Sequence, residues 1–144
     1  MKRFIFFLIA VLIVLLVSCA SKQDDNKADI IKEKPTIDVN IKIIEGTLAD
    51  NECKLRIYNK GNETIGFGTK YILMIKNNEI WSELDCKDDW TGEMYFVEAG
   101  KTEEVNINFE EHYGKLQRGE YKLLKEIFAE SEDTFFYEVR FTLW

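Results

Sequence analysis

The feature that most constrains the fold of this chain is a two-residue alternation of apolar and polar side chains. In the segment TFFYEVRFTLW, apolar residues two positions apart share one face: Phe135, Tyr137, Val139, Phe141 and Leu143. Successive side chains of a β-strand point to opposite faces, so this period is typical of a half-buried strand. The segments TIDVNIKIIEG, ECKLRIYN and TEEVNINFE show the same alternation. We therefore expect an all-β chain.

About eight strands are predicted in this way, with turn clusters such as NKGN and EAGK between them. Their bounds are 36–45, 52–58, 70–76, 79–84, 93–97, 103–109, 120–128 and 134–143. Short antiparallel strands at even spacing pack as a sandwich or a barrel. Tyr121 enters a strand soon after Gly119, the position of the tyrosine corner, in which a phenol bonds to backbone upstream. This favours an immunoglobulin-like antiparallel β-sandwich of about seven to eight strands.

A tight hairpin is predicted in KYILMIKNNEIWSEL. Asn77 and Asn78 would form its two-residue loop, because Asn tolerates the positive φ angles of such loops. This register places Met74 opposite Trp81 and gives the hairpin two apolar faces. One face would meet the core, and the other would be covered by a loop or exposed as a contact surface.

The N-terminus predicts export. Lys2 and Arg3 precede the uncharged apolar run Phe4–Val17, which is shorter than the roughly 20 residues of a membrane span. The sequence Leu16-Val17-Ser18-Cys19 resembles the lipobox of bacterial lipoproteins. That resemblance implies that residues 1–18 are a signal peptide and that Cys19 is lipidated and becomes the new N-terminus. The alternative is an uncleaved N-terminal anchor.

Residues 19–35 are polar and are predicted to be a flexible tether, although a short helix ending before Pro35 is an alternative. Residues 36–144 suit one domain. Without Lys2 and Arg3, 17 basic residues face 26 acidic ones, so the net charge falls from −7 to −9. Such a chain is a poor partner for nucleic acid. Acyl chains would hold it at the extracytoplasmic face of the cell membrane.

The segments from Asn59 to Phe141 resemble the bacterial immunoglobulin-like domain of small Gram-positive lipoproteins. In that family an Asn-rich turn precedes a glycine and an aromatic, and a Trp follows a tight hairpin. A glycine turn then leads into a strand, and a Y-G-x-L-x-x-G-x-Y run opens a late strand. The matching residues are Asn59, Gly68, Tyr71, Leu73, Trp81, Gly100, Tyr113, Gly114, Leu116, Gly119 and Tyr121. Lys122 and Ala99 depart from the pattern. The resemblance implies a fold and brings no activity with it.

Two cysteines remain for the domain, Cys53 and Cys86. In an exported chain such a pair is a candidate disulfide. The predicted strands place the two residues at opposite ends of the sandwich, whereas a bridge needs Cα atoms within about 7 Å. The sequence leaves this disulfide open. The chain has no C-x-x-C motif, so a zinc site is not predicted.

Candidate catalytic residues are few. His112 is the single histidine and adjoins Glu110 and Glu111, but the pattern favours a solvated turn residue over a catalytic or metal site. The loop DCKDDWTGE lacks the ligand order of a calcium loop and favours a charged surface loop; its acids are Asp85, Asp88, Asp89 and Glu93. We therefore predict no enzyme activity, no metal and no cofactor.

The remaining candidate for a functional site is a group of aromatic residues. Trp81, Trp90 and Tyr95 crowd one segment beside the acidic loop, and aromatic residues are favoured at interface hot spots. We predict a binding or interaction module with this surface and an envelope protein or ligand as its partner. A small enzyme using His112 and nearby acids, and a passive spacer of an envelope complex, are the alternatives.

Overall fold

The computed structural model describes residues 36–87, 89–130 and 134–144. This part of the chain contains nine strands and one short helix, and every strand pairing is antiparallel. The predicted signal peptide 1–18, Cys19 and the tether 19–35 lie outside it. The elements are β1 Val39–Ile43, β2 Glu52–Asn59, β3 Ile65–Gly68, β4 Tyr71–Asn77, β5 Ile80–Glu83, β6 Met94–Val97, β7 Thr102–Asn108, α1 Phe109–His112, β8 Gly119–Ala129 and β9 Thr134–Leu143.

The strands form two sheets. The smaller sheet has the order β1-β2-β7, and the larger one joins β5, β4, β8, β3 and β6, with β9 paired to β8. Because β9 pairs along most of β8, β3 and β4 must share the other edge of β8. They lie there end to end, separated by Thr69 and Lys70. The structure confirms the predicted antiparallel β-sandwich.

The core lies between the inner faces of the two sheets. Apolar residues at alternate positions of most strands point inward, as the alternation predicts. Fully buried examples are Leu55 and Ile57 of the smaller sheet and Phe67, Leu73 and Ile127 of the larger sheet. The residues of β9 that the sequence placed on one face all pair with inner-face residues of β8, and this prediction is confirmed.

A buried lysine sits at the break between β3 and β4. Lys125 of β8 is 1% exposed, and its Nζ donates hydrogen bonds to the carbonyl oxygens of Gly68 and Lys70, the latter at 2.8 Å. These two carbonyls flank the break, so the lysine supplies them with a hydrogen-bond donor inside the protein. Burial lowers the pKa of the Lys125 ammonium to about 8.

The tyrosine corner is confirmed. Tyr121 is 1% exposed, and its hydroxyl donates to the carbonyl oxygen of Gln117 at 2.8 Å. Its ring stacks on Phe141 with centroids 5.3 Å apart. The hydrogen bond ties the turn before β8 to the first buried position of the strand.

The hairpin between β4 and β5 turns one residue later than predicted. Its loop is Asn78-Glu79, with φ angles of 48° and 69°, so the predicted loop Asn77-Asn78 is wrong. Trp81 consequently pairs with Lys76, and Met74 pairs with Glu83.

Two elements were not predicted from the sequence, β3 and α1. The helix is four residues long and begins after Asn108, whose side chain accepts a hydrogen bond from the backbone N–H of Glu111. Among the described residues, no helix is long and apolar enough to cross a membrane.

Candidate functional site

The outer face of the larger sheet exposes large apolar side chains to solvent. We call this surface the outer aromatic face; its residues are Trp81, Met94, Phe96, Phe128 and Phe136. Phe96 is 65% exposed and Phe136 is 60% exposed. Monomeric soluble domains rarely leave apolar side chains grouped in this way, which makes the face a candidate contact surface.

Strand register brings Phe96 and Phe128 together at one end of this face. Phe96 of β6 and Phe128 of β8 both pair with Gly66 of β3, so all three lie on one row of the sheet. The rings of Phe96 and Phe128 meet edge to face, with centroids 6.3 Å apart. A Cβ on Gly66 would lie 2.2 Å from Phe128, so the absence of a side chain there allows the ring to lie across β3.

The other end of the outer aromatic face is bordered by charge. The Lys122 ammonium lies 4.6 Å from the centre of the Trp81 ring, and the Arg140 guanidinium lies 5.8 Å from it. Both cations also pair with Glu138. The hydrogen bond from Lys122, followed by that from Arg140, lowers the pKa of the Glu138 carboxyl. The Trp81 ring therefore lies beside two cations that are both paired with one carboxylate.

Trp90 lies at one end of the sandwich, in the loop between β5 and β6. Its ring stacks on His112 with centroids 3.7 Å apart, and Tyr71 meets it edge to face at 4.9 Å. The Nδ1 atom of His112 lies 3.1 Å from the Asp89 carboxylate. His112 is buried, so its prediction as a solvated turn residue is wrong. The reason is that the Trp90 loop folds over α1.

The tyrosine side chains beside Trp90 are held in place by hydrogen bonds to backbone carbonyl groups. The hydroxyl of Tyr71 donates to the carbonyl oxygen of Asn108 at 3.0 Å, and that of Tyr113 donates to the carbonyl oxygen of Tyr71 at 2.9 Å. Burial raises the pKa of both tyrosines. Both phenols therefore stay protonated at neutral pH and act as structural donors.

The geometry around His112 does not resemble a catalytic dyad. Its hydrogen-bond partner is Asp89, and one face of its ring is covered by Trp90. In the part of the chain that the structure describes, no hydroxyl or thiol bonds to the ring, and no three His, Cys, Asp or Glu side chains converge as metal ligands would. Of the acidic loop, Asp88 lies outside that part, and Glu93 accepts a hydrogen bond from Tyr95 at 3.3 Å.

Both cysteines of the domain are free, so the disulfide that the sequence left open is not formed. Cys53 is buried in β2, and burial, with a smaller effect of Glu52, raises the pKa of its thiol to about 12. Cys86 is exposed, and its thiol donates to the carbonyl oxygen of Lys87 at 3.2 Å. Cys53 acts as a small apolar residue of the core.

The predicted surface of Trp81, Trp90 and Tyr95 is distributed over three places. Tyr95 lies on the inner face of β6, where its ring stacks on Phe67 at 5.3 Å, whereas Trp81 lies on the outer face of the same sheet. Trp90 lies at the end of the sandwich. Sequence reasoning missed Phe96 and Phe136, although each is an apolar residue at an outward position of its strand.

Comparisons with known proteins agree with this architecture. The family described as the bacterial Ig-like domain matches residues 33–141. No curated protein matches the chain.

The comparison with solved structures gives matches of low identity. The putative ApaA protein from Bordetella pertussis is 14% identical, with 76% of this chain and 92% of that chain covered and a TM-score of 0.42. The archaellum periplasmic stator protein FlaG from Sulfolobus acidocaldarius is 12% identical, with 73% and 99% covered and a TM-score of 0.39. The ASH/PapD-like domain of human CEP192 is 13% identical, with 80% and 91% covered and a TM-score of 0.40.

The family match spans most of the chain, and the two antiparallel sheets and the tyrosine corner fit an immunoglobulin-like sandwich. The chain therefore belongs to the bacterial Ig-like domain family.

Proposed function

We propose that this protein is an exported lipoprotein, held at the extracytoplasmic face of the cell membrane by lipid on Cys19, and that its Ig-like domain is a non-catalytic interaction module. The lipobox resemblance of Leu16–Cys19 supports the anchor. The net charge of −9 after cleavage, from 17 basic and 26 acidic residues, disfavours nucleic acid as a partner. The partner is another protein of the cell envelope.

The single observation that carries this proposal is the exposure of Phe96 and Phe136, at 65% and 60%. Covering apolar surface is favourable by about 25 cal/mol per Å², so a partner that buries both rings gains binding free energy without any catalytic group. The aromatic character of the face suits the centre of a protein interface.

The form of the surface favours a protein partner. A sheet face is broad, and its aromatic residues extend across β5, β6, β8 and β9 rather than converging on one point. The charges at the Trp81 end are paired on the chain itself, so they form a polar border. An apolar centre with a polar rim is the usual anatomy of a protein interface.

The interaction is tested with the full lipoprotein in its native membranes. A mild crosslinker and mass spectrometry would compare the parent protein with the double variant Phe96→Ser, Phe136→Ser. The matched control is Ile80→Ser, because Ile80 is 68% exposed but lies at the tip of the hairpin. We expect one enriched envelope protein that the double variant loses and the control retains. Equal recovery from all three proteins would contradict the proposed surface.

The anchor is tested separately. Cys19→Ser removes the sulfur that the lipid would occupy and is expected to release the protein from the membrane fraction. Metabolic labelling with a fatty-acid analogue would label the parent protein alone. Labelling of the Cys19→Ser variant would contradict lipidation at this residue.

A further inference from the structure

The larger sheet ends in a long strand with one free edge. Strand β9 has ten residues and, in the part of the chain that the structure describes, it pairs only with β8, and no loop backbone bonds to its other side. β1 of the smaller sheet contacts β9 through the Tyr137 hydroxyl, which bonds to the backbone of Val39, but β1 does not extend the larger sheet. In an antiparallel pair, every second residue directs its N–H and C=O groups away from the neighbouring strand. One side of β9 is therefore an open row of hydrogen-bond donors and acceptors.

Strand β9 lacks the features that usually protect an edge. Natural edge strands are kept short, are bulged, or carry proline or lysine. At the opposite edge of the larger sheet, β5 and β6 have only four residues each. β9 contains neither proline nor lysine, its pairing with β8 is unbroken, and its two charged residues, Glu138 and Arg140, have opposite signs. These properties favour the addition of another strand at this edge.

Aromatic side chains at both ends of β9 are incompletely covered. Phe135 belongs to the inner face of the strand, yet it is 38% exposed, whereas Val139 in the middle of the strand is 7% exposed. On the outer face Phe136 is 60% exposed, and Trp144, which directly follows the strand, is 92% exposed. A second strand along this edge would shield apolar surface at both ends.

Charge selects one register in which β9 can pair with β9 of a second copy. Because side chains alternate between faces, antiparallel self-pairing keeps inner residues opposite inner residues only when the two-fold axis passes beside a residue. An axis at Val139 places Glu138 of each copy opposite Arg140 of the other. An axis at Glu138 or at Arg140 would place two like charges opposite each other, which is unfavourable. The Arg140 side chain is 66% exposed, so it can reach across the edge to the second copy.

The charge-matched register joins residues 135–143 of the two copies and covers the exposed aromatic residues. Phe135 would lie opposite Leu143 of the second copy. Phe136 would lie diagonally from Trp144 of the second copy, a spacing that large side chains can bridge. The register that matches the charges therefore also brings apolar residues together.

From these observations we propose that the protein forms a symmetric dimer in which the β9 strands of two copies pair antiparallel about Val139. The two larger sheets then form one continuous sheet, with their outer aromatic faces side by side. The inference goes beyond the proposed interaction module, because the dimer uses the edge of the sheet and leaves its outer face open. One strand pairing buries a small area, so we expect a weak dimer with a micromolar Kd.

Charge exchange tests the dimer in the full lipoprotein. Native mass spectrometry from detergent micelles counts the copies, and a dilution series gives the dimer Kd. Arg140→Glu places glutamates opposite each other and is expected to raise this Kd about tenfold or more. Adding Glu138→Arg restores opposite charges, and Lys122 of β8 pairs with position 140, so the double variant should return to within about threefold of the parent Kd. The control Arg56→Glu makes the same charge change on the smaller sheet and should leave the dimer Kd unchanged.

A distance between spin labels tests the register. A nitroxide is attached to Thr134→Cys in a Cys86→Ser background, where Cys53 is buried and stays unlabelled. In the proposed register position 134 lies opposite position 144 of the second copy, so the two labels should be about 30–40 Å apart at a rise of about 3.4 Å per residue.

Four results would overturn the proposed dimer. They are a monomer at every dilution, equal Kd values for the parent and Arg140→Glu, a double variant as weak as Arg140→Glu, and a label distance outside this range. None of them bears on the proposed envelope partner of the outer aromatic face, since that contact uses another surface.

Discussion

The two sheets share one core, but their outer faces differ. The outer face of the smaller sheet is mainly polar: Arg56 of β2 pairs with Glu104 of β7 at 2.7 Å, and Asn40, Lys42, Lys54 and Asn106 are further outward positions. Its exposed aromatic residue is Tyr58, at 37% and with a polar hydroxyl. The outer face of the larger sheet instead exposes Phe96 and Phe136. Both faces belong to antiparallel strands of the same domain.

This difference separates the requirements of folding from those of binding. An antiparallel sheet needs only one apolar face to make a core, and the smaller sheet shows that the other face tolerates charge and amide groups. The aromatic rings on the larger sheet therefore exceed what the sandwich requires. We propose that a partner protein covers them.

The largest expected effect compares two phenylalanines. Phe109 is fully buried and stacks on Phe141 at 5.6 Å, so Phe109→Ala should lower the free energy of unfolding by about 3–5 kcal/mol. Phe96→Ser removes an exposed ring and its edge-to-face contact with Phe128, and should lower it by only about 0.5–1.5 kcal/mol. Urea unfolding measures both. If Phe96→Ser lowered the free energy of unfolding as much as Phe109→Ala, the outer ring would be needed for folding, and the proposed difference between the two rings would be contradicted.

The next effect concerns the join between the sheets. Asn59 of β2 is fully buried; its Nδ2 donates to the carbonyl oxygens of Glu63 and Val97, at 2.7 and 2.9 Å, and its Oδ1 accepts from the N–H of Gly61. Asn59→Ala leaves these groups unpaired and should cost about 2–4 kcal/mol.

Because Val97 belongs to β6, this variant also tests what holds the edge of the outer aromatic face. Hydrogen exchange should rise in β6 more than in β8. Uniform exchange across both strands would contradict the assigned role of Asn59.

A third prediction uses pH to probe the inner face of the larger sheet. The pKa of Lys125 is lowered by burial from 10.5 to about 8, with Glu126 acting weakly in the opposite direction. The unfolded chain therefore binds more protons than the folded chain from about pH 8 upward, and this residue makes stability rise with pH. The buried thiol of Cys53, with its pKa raised from 9.0 to about 12, opposes the rise above about pH 9.

The window between about pH 8 and 9 is therefore the one to measure. The free energy of unfolding of the parent protein should rise there relative to that of Lys125→Met, by at most about 1.4 kcal/mol per pH unit. Lys42→Met, an exposed lysine of the smaller sheet, is the control and should keep the parent slope. A parental slope in Lys125→Met would show that another group titrates.

The smallest effect concerns the hairpin that carries Trp81. Glu79 has a φ of 69°, which a side chain disfavours and glycine accepts. Glu79→Gly should stabilise the protein by about 0.5–1 kcal/mol. The substitution removes the 3.1 Å ion pair between Glu79 and Lys76, but Lys76 still pairs with Glu120. Thermal unfolding measures the gain. Destabilisation would contradict the observed loop.

Alternation allowed most strands to be predicted, because inner positions such as Leu55 and Ile57 follow a local period. It failed for β3, since Ile65–Gly68 contains two glycines and glycine is poor in strands. The need for Gly66 arises from the Phe128 ring, which lies sixty-two residues away in the sequence. That contact has no local signal.

The candidate sites were harder to predict for the same reason. His112 sits in a polar segment, and its burial depends on Trp90, which reaches it from another loop. In the hairpin, two adjacent asparagines made a loop at Asn77-Asn78 as plausible from the sequence as a loop one residue later. The later register follows from the pairing of β4 with both β5 and β8, which the local sequence does not reveal. The family resemblance, in contrast, could be recognised from the sequence because the residues that carry it maintain the fold. Asn59 and Tyr121 make the backbone hydrogen bonds that define the fold.

We propose that the larger sheet meets a protein partner through its outer face, and crosslinking from that face tests this contact. The most direct measurement places a benzophenone amino acid at position 96 or, for comparison, at position 104 on the smaller sheet, in the full lipoprotein in native membranes. After illumination, we expect one dominant protein adduct from position 96 and none from position 104. Equal adducts from both positions, or none from position 96, would contradict it.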